Sequence, residues 1–283
     1  MRQHKILITI VAAIFTLDVF VWYLVIEAPR ATASSSQLYF LNVGQGDSEL
    51  VDFGAAQVLI DGGPDGKVLD NLSQILPLDD RYIDLLVMTH PQLDHFGGFI
   101  DVLENYSVGA VVVNGRRADI AAYKTFADLV KEKNVSVVVV EAGDRIRYGD
   151  NVFEILNPTP TNVLSKELND GSIVLKLTTP NFSALYTGDI GENIEKELVK
   201  KYDLAADILK VPHHGSRFSS SERFLAEVNP KVSVVEVGKN TYGHPTPAAM
   251  NRIKEIGSLL FTTQTEGLLK ATLEGGKIAI FGE

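Results

Sequence analysis

Apolar positions in this chain fall into short runs separated by turn residues, and most runs have the length of buried strands. Between them lie segments with the apolar spacing of helices, such as residues 67–76, 119–133 and 191–201. Clusters of strands are followed by alternating strands and helices in both halves of the chain. This order predicts an α+β fold in which two sheets pack face to face with helices outside.

The longest apolar run covers residues 6–26, with basic residues before it and aromatic residues near its end. Its length is that of a membrane-spanning helix, and its flanks predict a cytoplasmic N-terminus. Asp18 lies inside the run, where a carboxylate is costly unless it is protonated or paired. We therefore expect a cytoplasmic N-terminus at 1–5, a single transmembrane anchor at 6–26, a linker at 27–37 and one extracytoplasmic domain at 38–283.

Two other interpretations of the apolar run remain open. Ala31-Thr32-Ala33 offers the small-residue pattern of a signal-peptide cleavage site, in which case the domain is secreted. A buried helix of a globular domain is the third interpretation. The first two both place the main domain outside the cytoplasmic membrane.

The composition of the chain limits the kinds of binding site that it can carry. The chain has 283 residues, of which 45% are hydrophobic, and this is enough for a large core. The net charge of -10 argues against a broad basic surface for nucleic acid. A phosphate substrate is still compatible, because a bound divalent cation can supply local positive charge. There is no cysteine, so thiolate metal sites and disulfides are excluded.

Side chains with metal-binding chemistry occur where predicted strands end. The apolar run at 83–88 is followed by Thr89–Gly98, which contains His90, Asp94 and His95. We expect these three residues on a loop, where functional groups are often placed. Two imidazoles and a carboxylate within six positions suit a cation such as zinc.

Further histidines and aspartates follow other predicted strands: Asp61, Asp189, His213, His214 and His244. If the strand ends converge on one edge, these groups form a single cluster. A metal held by such a cluster keeps open positions for water, lowers the pKa of that water and neutralises charge on a phosphoryl or carbonyl oxygen. Each motif alone could also be an ordinary turn, as could Gly44-Gln45-Gly46-Asp47, whose glycines supply positive φ.

Taken together, the motifs resemble the metallo-β-lactamase-fold domain of ComEC-type DNA-uptake proteins. The matching stretches are residues 41–48, 59–63, 89–98, 185–189, 209–216 and 242–245. The resemblance implies an αββα sandwich with a metal site at one edge. ComEC proteins also carry a multi-helix channel, for which this sequence shows no matching segments. We therefore expect a stand-alone, singly anchored relative.

The resemblance also implies a set of metal ligands. The superfamily pattern His-x-His-x-Asp-His falls on His90, Gln92, Asp94 and His95, and the bridging carboxylate and last histidine fall on Asp189 and His213. A further histidine of the family is replaced by Asn157. Neutral amides bind zinc poorly and are more compatible with harder ions. We therefore expect one firm site for Zn²⁺ or Mn²⁺, with Asp94, His95, Asp189 and His213, and a weak or absent second site around His90.

Other roles follow from the same resemblance. Asp61 is expected behind the ligands, where it would steady a histidine tautomer. His214, Ser216 and His244 are expected on the substrate side. Catalysis is assigned to Asp94, His214 and His244. For the two histidines the reason is that an imidazole can pass a proton to a leaving group.

The resulting hypothesis is a metal-dependent hydrolase, a phosphodiesterase or nuclease acting on DNA outside the membrane. Gln92 and Asn157 raise the alternative of a catalytically weak metal-binding or scaffold protein in a DNA-uptake or envelope system. A hydrolase of small lactams or thioesters is permitted by the fold alone. The sequence identifies no protein partner.

Overall fold

The computed structural model describes residues 36–274 and 277–282. The strands there are β1 (Gln37–Phe40), β2 (Glu49–Asp52), β3 (Gln57–Ile60), β4 (Tyr82–Val87), β5 (Ser107–Val113), β6 (Ser136–Val139), β7 (Arg145–Tyr148), β8 (Asn151–Asn157), β9 (Val174–Thr178), β10 (Ser183–Tyr186), β11 (Ile208–Lys210), β12 (Val232–Val235), β13 (Leu259–Thr262), β14 (Leu269–Glu274) and β15 (Lys277–Gly282). The α-helices are α1 (Lys67–Ile75), α2 (Leu93–Asn105), α3 (Ala121–Glu132), α4 (Glu192–Lys201), α5 (Glu222–Val228), α6 (Pro247–Glu255) and α7 (Thr263–Glu266).

The strands form two sheets, one ordered β15-β14-β1-β2-β3-β4-β5-β6 and the other β13-β12-β11-β10-β9-β8-β7. In the first sheet, β3 to β6 are parallel and the remaining pairs are antiparallel. In the second, β10 to β13 are parallel and the remaining pairs are antiparallel. Parallel neighbours need long crossover connections, and helices supply most of them here.

Three apolar clusters hold the layers together. One contains residues of both sheets, such as Phe40, Ile60 and Leu175, and lies between them. A second joins the first sheet to α1, α2 and α3, and a third joins the second sheet to α4, α5 and α6. The layers therefore run helix, sheet, sheet, helix. The predicted α+β fold with two packed sheets is confirmed.

The helix α2 and the strand β7 differ from the prediction. The structure starts α2 at Leu93, so Asp94 and His95 lie in its first turn and the expectation of a loop was wrong. Apolar spacing begins only at Phe96, but the free N–H groups of a first turn favour an acidic residue such as Asp94. The strand β7 was not predicted, because its residues are mostly polar and exposed, as suits a sheet edge.

The predicted anchor at 6–26 lies outside the described residues, as does nearly all of the predicted linker. Within residues 36–274 and 277–282, none of the helices has the length and apolar character needed to cross a bilayer.

Candidate metal centre

The loops that follow β3, β4, β10 and β11 bring polar groups from both sheets into contact. Nε2 of His95 lies 3.4 Å from Oδ2 of Asp189, and Nε2 of His214 lies 3.6 Å from the same oxygen. Asp94 completes the group, with Oδ2 3.4 Å from Nε2 of His214 and Oδ1 3.9 Å from Nε2 of His95. The predicted convergence of strand ends therefore occurs for these four residues.

Close backbone packing fixes the position of α2 in this group. The Gly62 N–H donates to the His95 carbonyl at 2.6 Å, and the Asp47 N–H donates to the Asp94 carbonyl at 3.2 Å. A Cβ atom on Gly98 would lie 2.1 Å from the carbonyl oxygen of Gly62. Glycine at this position therefore allows α2 to approach the loop after β3, which brings His95 into the site.

Both histidines of the cluster have their outer ring nitrogens fixed. Nδ1 of His95 lies 2.7 Å from Oδ2 of Asp61, whose carboxylate also accepts from the Thr89 N–H and hydroxyl. Nδ1 of His214 lies 2.9 Å from the carbonyl oxygen of Glu236. Metal-ligating histidines usually donate their other N–H in this way. The arrangement directs both Nε2 atoms towards Asp94 and Asp189.

The orphaned atoms of the cluster fit a cation. Nε2 of His95, Nε2 of His214 and Oδ1 of Asp189 are buried and have no hydrogen-bond partner among the described residues. Buried polar atoms are normally satisfied, so several orphans in one place require an explanation. Two imidazoles and two carboxylates are a suitable ligand set for a divalent metal ion.

The electrostatics of the pocket also favour positive charge. Burial alone would lower the pKa of His95, but Asp189 and Asp61 raise it well above its usual value. Against the same effect of burial, Asp189 and Asp47 raise the pKa of His214 to about 10. Although burial would raise the pKa of Asp189, His214 and His95 hold it well below its usual range. A divalent cation would supply this positive charge in place of protons, which ligands must release on metal binding.

His90 lies on the side of the cluster that has fewer ligands. Its Nε2 is 2.8 Å from the side-chain oxygen of Gln92, and its Nδ1 is 3.0 Å from the Thr89 hydroxyl. Burial, together with the charge of His95, lowers the pKa of His90 to about 3, which keeps the ring neutral. Its ligand atom lies within 4.8 Å of those of His95 and Asp189.

Asn157 does not complete that side. Its amide donates to the carbonyls of Asp170 at 2.9 Å and Ser172 at 2.7 Å, and its oxygen accepts from Asn162 at 2.9 Å. The side chain therefore holds together the loop between β8 and β9. His90 and the shared Asp189 are left as the strong donors of a second position.

The structure places His214 deeper in the cluster than His213, the residue to which the resemblance gave the ligand position. The side chain of His213 is 32% exposed, and its Nε2 lies 3.8 Å from Oδ2 of Asp189. Both histidines lie in the tight turn Pro212–Gly215 with φ near 51°, a left-handed backbone that is uncommon outside glycine. This turn directs His214 inwards and leaves His213 at the rim.

Of the other two residues expected on the substrate side, His244 lies next to His213 and Ser216 is buried in its own loop. The ring of His244 lies 5.3 Å from that of His213, and its Nδ1 is buried without a partner among the described residues. The side-chain oxygen of Asn240 accepts from the His244 N–H at 3.2 Å and shapes this loop. Ser216 is buried and its hydroxyl accepts from the Phe218 N–H at 3.3 Å. Ser216 thus stabilises its own loop, and its expected place on the substrate side stays a prediction.

Buried charged residues behind the histidines were not predicted. The Lys210 side chain is fully buried, and its ammonium group donates to the Asp47 carboxylate and to the Gly188 carbonyl, the latter at 3.1 Å. Oδ1 of Asp47 lies 3.1 Å from Nδ1 of His214. The Lys210–Asp47 pair therefore helps to hold the ring of His214, a candidate ligand. A charged residue at the end of an apolar strand was the signal available in the sequence, because lysine is almost never buried unless it is paired.

Two glutamates lie next to this pair. Glu49 and Glu236 are both buried, and the Ser48 N–H donates to Glu236 at 3.1 Å. Burial and the charge of Asp47 raise the pKa of Glu49 to about 8. Burial and the charge of Glu49 raise the pKa of Glu236 well above its usual value. At neutral pH the Glu49 carboxyl group is therefore mostly protonated.

The raised pKa of Glu49 predicts a pH-dependent stability. Folding takes up a proton between pH 4.5, the usual value, and about 8, the folded value. The stabilisation is complete below pH 4.5 and is lost as the pH rises through 8, with a slope of up to about 1.4 kcal/mol per pH unit. We expect Glu49→Gln to remove this part of the slope. Urea denaturation at a series of pH values, with EDTA present, measures it.

The matched control for this variant is Glu132→Gln, which changes an exposed glutamate at the end of α3. The control should keep the wild-type slope. A Glu49→Gln slope equal to that of the wild type would contradict the prediction.

Comparison with known proteins gives one family and several relatives. The model of the Metallo-beta-lactamase superfamily matches residues 41–238. Competence protein ComA of Neisseria gonorrhoeae is 31% identical over 241 residues, which cover 84% of this chain and 32% of that protein. ComE operon protein 3 of Bacillus subtilis is 28% identical over 192 residues, which cover 67% of this chain and 24% of that protein. The chain thus spans between a quarter and a third of the length of these relatives.

A solved structure shows the same fold. The metallo-beta-lactamase fold protein YhfI from Bacillus subtilis has a TM-score of 0.58 at 13% identity, and the alignment covers 84% of this chain and 100% of that protein. At this identity the likeness shows the fold alone.

Proposed function

Because the chain belongs to the metallo-beta-lactamase superfamily, a family of metal-dependent hydrolases, we propose that it hydrolyses phosphodiester bonds of DNA. The observation that carries the proposal is the cluster of Asp94, His95, Asp189 and His214, in which the Nε2 atoms of both histidines have no hydrogen-bond partner among the described residues. The choice of DNA is supported by the similarity to Competence protein ComA, a relative that is named for competence. The resemblance of the sequence motifs to ComEC-type proteins points the same way.

The four residues of that cluster would hold the firmly bound cation. His90 and the shared Asp189 would contribute to a weaker second position. Imidazole and carboxylate ligands are compatible with Zn²⁺ and with Mn²⁺. When bound, such an ion supplies the Lewis acidity that activates water and neutralises charge on a phosphoryl oxygen.

His244 is the residue of the rim best placed for proton transfer. Burial and the neighbouring His213 and His214 lower its pKa, so the ring is neutral near pH 7. A neutral imidazole can accept a proton from water and return it to the leaving oxygen. Its buried Nδ1 has no hydrogen-bond partner among residues 36–274 and 277–282, so that part of the fold leaves this acceptor unused.

We place the domain outside the cytoplasmic membrane. The basic residues before the apolar run at 6–26 support a cytoplasmic N-terminus and an anchored or secreted domain beyond it.

A catalytically weak scaffold protein is the second candidate function. It is favoured by the engagement of Asn157 in three hydrogen bonds that hold its own loop. Such a protein could bind a cation without turning over a substrate.

Metal removal separates the two functions. The full chain in detergent is stripped with EDTA and reloaded with Mn²⁺ or Zn²⁺. It is then assayed with bis(p-nitrophenyl) phosphate and with single- and double-stranded DNA. We expect turnover to vanish in EDTA and to return with metal, because the ion supplies the Lewis acid. A folded sample that takes up metal but turns over none of these substrates would favour the scaffold.

A further inference from the structure

A basic groove is lined in part by the loop that follows the candidate ligand His214. It is a cavity of about 580 Å³ between α4, the loop after His214 and the start of α5. Five cationic side chains and two carboxylates line it, although the whole chain carries a net charge of -10. Positive charge is therefore concentrated at this place on an acidic protein.

Three of the cations are free to bind a ligand. Among the described residues, no carboxylate lies within ion-pair distance of Lys200, Arg217 or Arg223, and all three are exposed. The remaining two are engaged, because Lys196 pairs with Glu192 at 2.9 Å and the Arg252 guanidinium donates to backbone carbonyls. The free cations can approach the phosphates of a polyanion.

Exposed aromatic rings accompany the free cations. Phe218 is 67% exposed, and the Arg217 guanidinium lies 4.9 Å from the centre of its ring. Tyr242 is 74% exposed and its ring lies 6.2 Å from that of His244. The two loops that carry the outer histidines of the site therefore each present an aromatic face to solvent.

The loop that carries Arg217 and Phe218 is held rigidly. The buried carboxylate of Glu195 accepts the N–H groups of Ser220 and Ser221, the second at 2.9 Å. From the other side, the Arg252 guanidinium donates to the carbonyls of Ser219 and Ser220 at 2.7 Å each. A preorganised loop loses little conformational entropy on binding, which suits a recognition surface.

We propose that the basic groove binds a single-stranded nucleic acid, with its phosphates on Lys200, Arg217 and Arg223 and a base stacked on Phe218. Grooves that combine cations with exposed aromatic rings bind single strands in this way. A duplex keeps its base faces covered, so it gains the charge contacts without the stacking. The choice of nucleic acid rests on the proposed function, and the groove would guide one strand towards the metal centre.

Binding to the full chain in detergent tests the inference. The probe is a fluorescein-labelled oligothymidine of about twelve nucleotides, with EDTA present so that cleavage plays no part. We expect Phe218→Ala to weaken binding about tenfold through lost stacking. The double variant Arg217→Gln/Arg223→Gln should make the slope of log K against log salt shallower by about 1.4.

The control variants are Phe281→Ala, which removes an exposed aromatic ring on β15, and Lys124→Gln, which removes an exposed charge on α3. Both should bind the oligonucleotide as the wild type does, and a duplex of the same length should bind more weakly than the single strand. The inference is overturned by groove variants that bind at wild-type strength, or by a duplex that binds as tightly as the single strand. Displacement by sub-micellar dihexanoylphosphatidylglycerol at equal phosphate would also overturn it, because the groove would then belong to an anionic lipid.

Failure of the groove proposal and failure of the hydrolase proposal give different results. A wild-type chain that binds the strand but turns over nothing would keep the groove and remove the enzyme. A chain that hydrolyses bis(p-nitrophenyl) phosphate but does not bind the oligonucleotide would do the opposite.

Discussion

Replacing His214 by alanine should reduce metal-dependent phosphodiester hydrolysis on the order of a thousandfold, whereas His213→Ala should reduce it about tenfold. His214 directs a buried Nε2 towards both Asp94 and Asp189, at 3.4 and 3.6 Å. His213 is partly exposed and approaches Asp189 only at 3.8 Å. Loss of His214 removes a candidate ligand, while loss of His213 removes a group at the rim.

Metal content distinguishes the two histidines independently of turnover. Mass spectrometry of purified variants should find less bound metal per chain in His214→Ala and the wild-type amount in His213→Ala. Circular dichroism of both variants checks that each is folded. If His213→Ala instead lost the metal and His214→Ala kept it, the assignment drawn from the turn geometry would be reversed.

Lys210→Met should lower the free energy of unfolding by about 3–5 kcal/mol, because it removes the ammonium group that balances the buried charge of Asp47. The methionine conserves much of the apolar stem, so the loss is mainly electrostatic. Urea denaturation in the presence of EDTA measures the change. The urea concentration at the midpoint should fall, while the slope of the unfolding free energy against urea concentration should stay constant.

Two comparisons test the cause of that loss. The double variant Lys210→Met/Asp47→Asn should recover part of the lost stability, since neither charge then remains. Lys124→Met, at an 83% exposed position on α3, should stay within about 0.5 kcal/mol of the wild type. A Lys210→Met variant as stable as this control would show that the buried pair contributes little.

The part of the site that follows from strand ends could be predicted from sequence. Apolar runs locate the ends of strands, so Asp61, Asp189 and the segment from His90 to His95 could be expected at one edge. The motifs and their order also gave the family to which the chain belongs. These features depend on local spacing and on the general rule that connections lie at strand ends.

Other parts depend on geometry that spacing does not contain. The different depths of His213 and His214 follow from a left-handed turn, which the spacing of the motif does not contain. The engagement of Asn157 with Asp170 and Ser172 follows from how a distant loop packs. The pairing of Lys210 with Asp47 joins residues 163 positions apart, so it cannot be predicted from the sequence around either residue.

The candidate ligands come from both halves of the sandwich: Asp94 and His95 follow a strand of one sheet, and Asp189 and His214 follow strands of the other. A cation bound there would act as a cross-link between the two sheets, and a chelator would remove this cross-link. Since a ligand that binds only the folded state stabilises it by an amount that rises with the logarithm of its free concentration above the dissociation constant, the supply of metal would also set the resistance of the domain to unfolding and proteolysis. Metal-poor surroundings would then limit the lifetime of the protein as well as its chemistry.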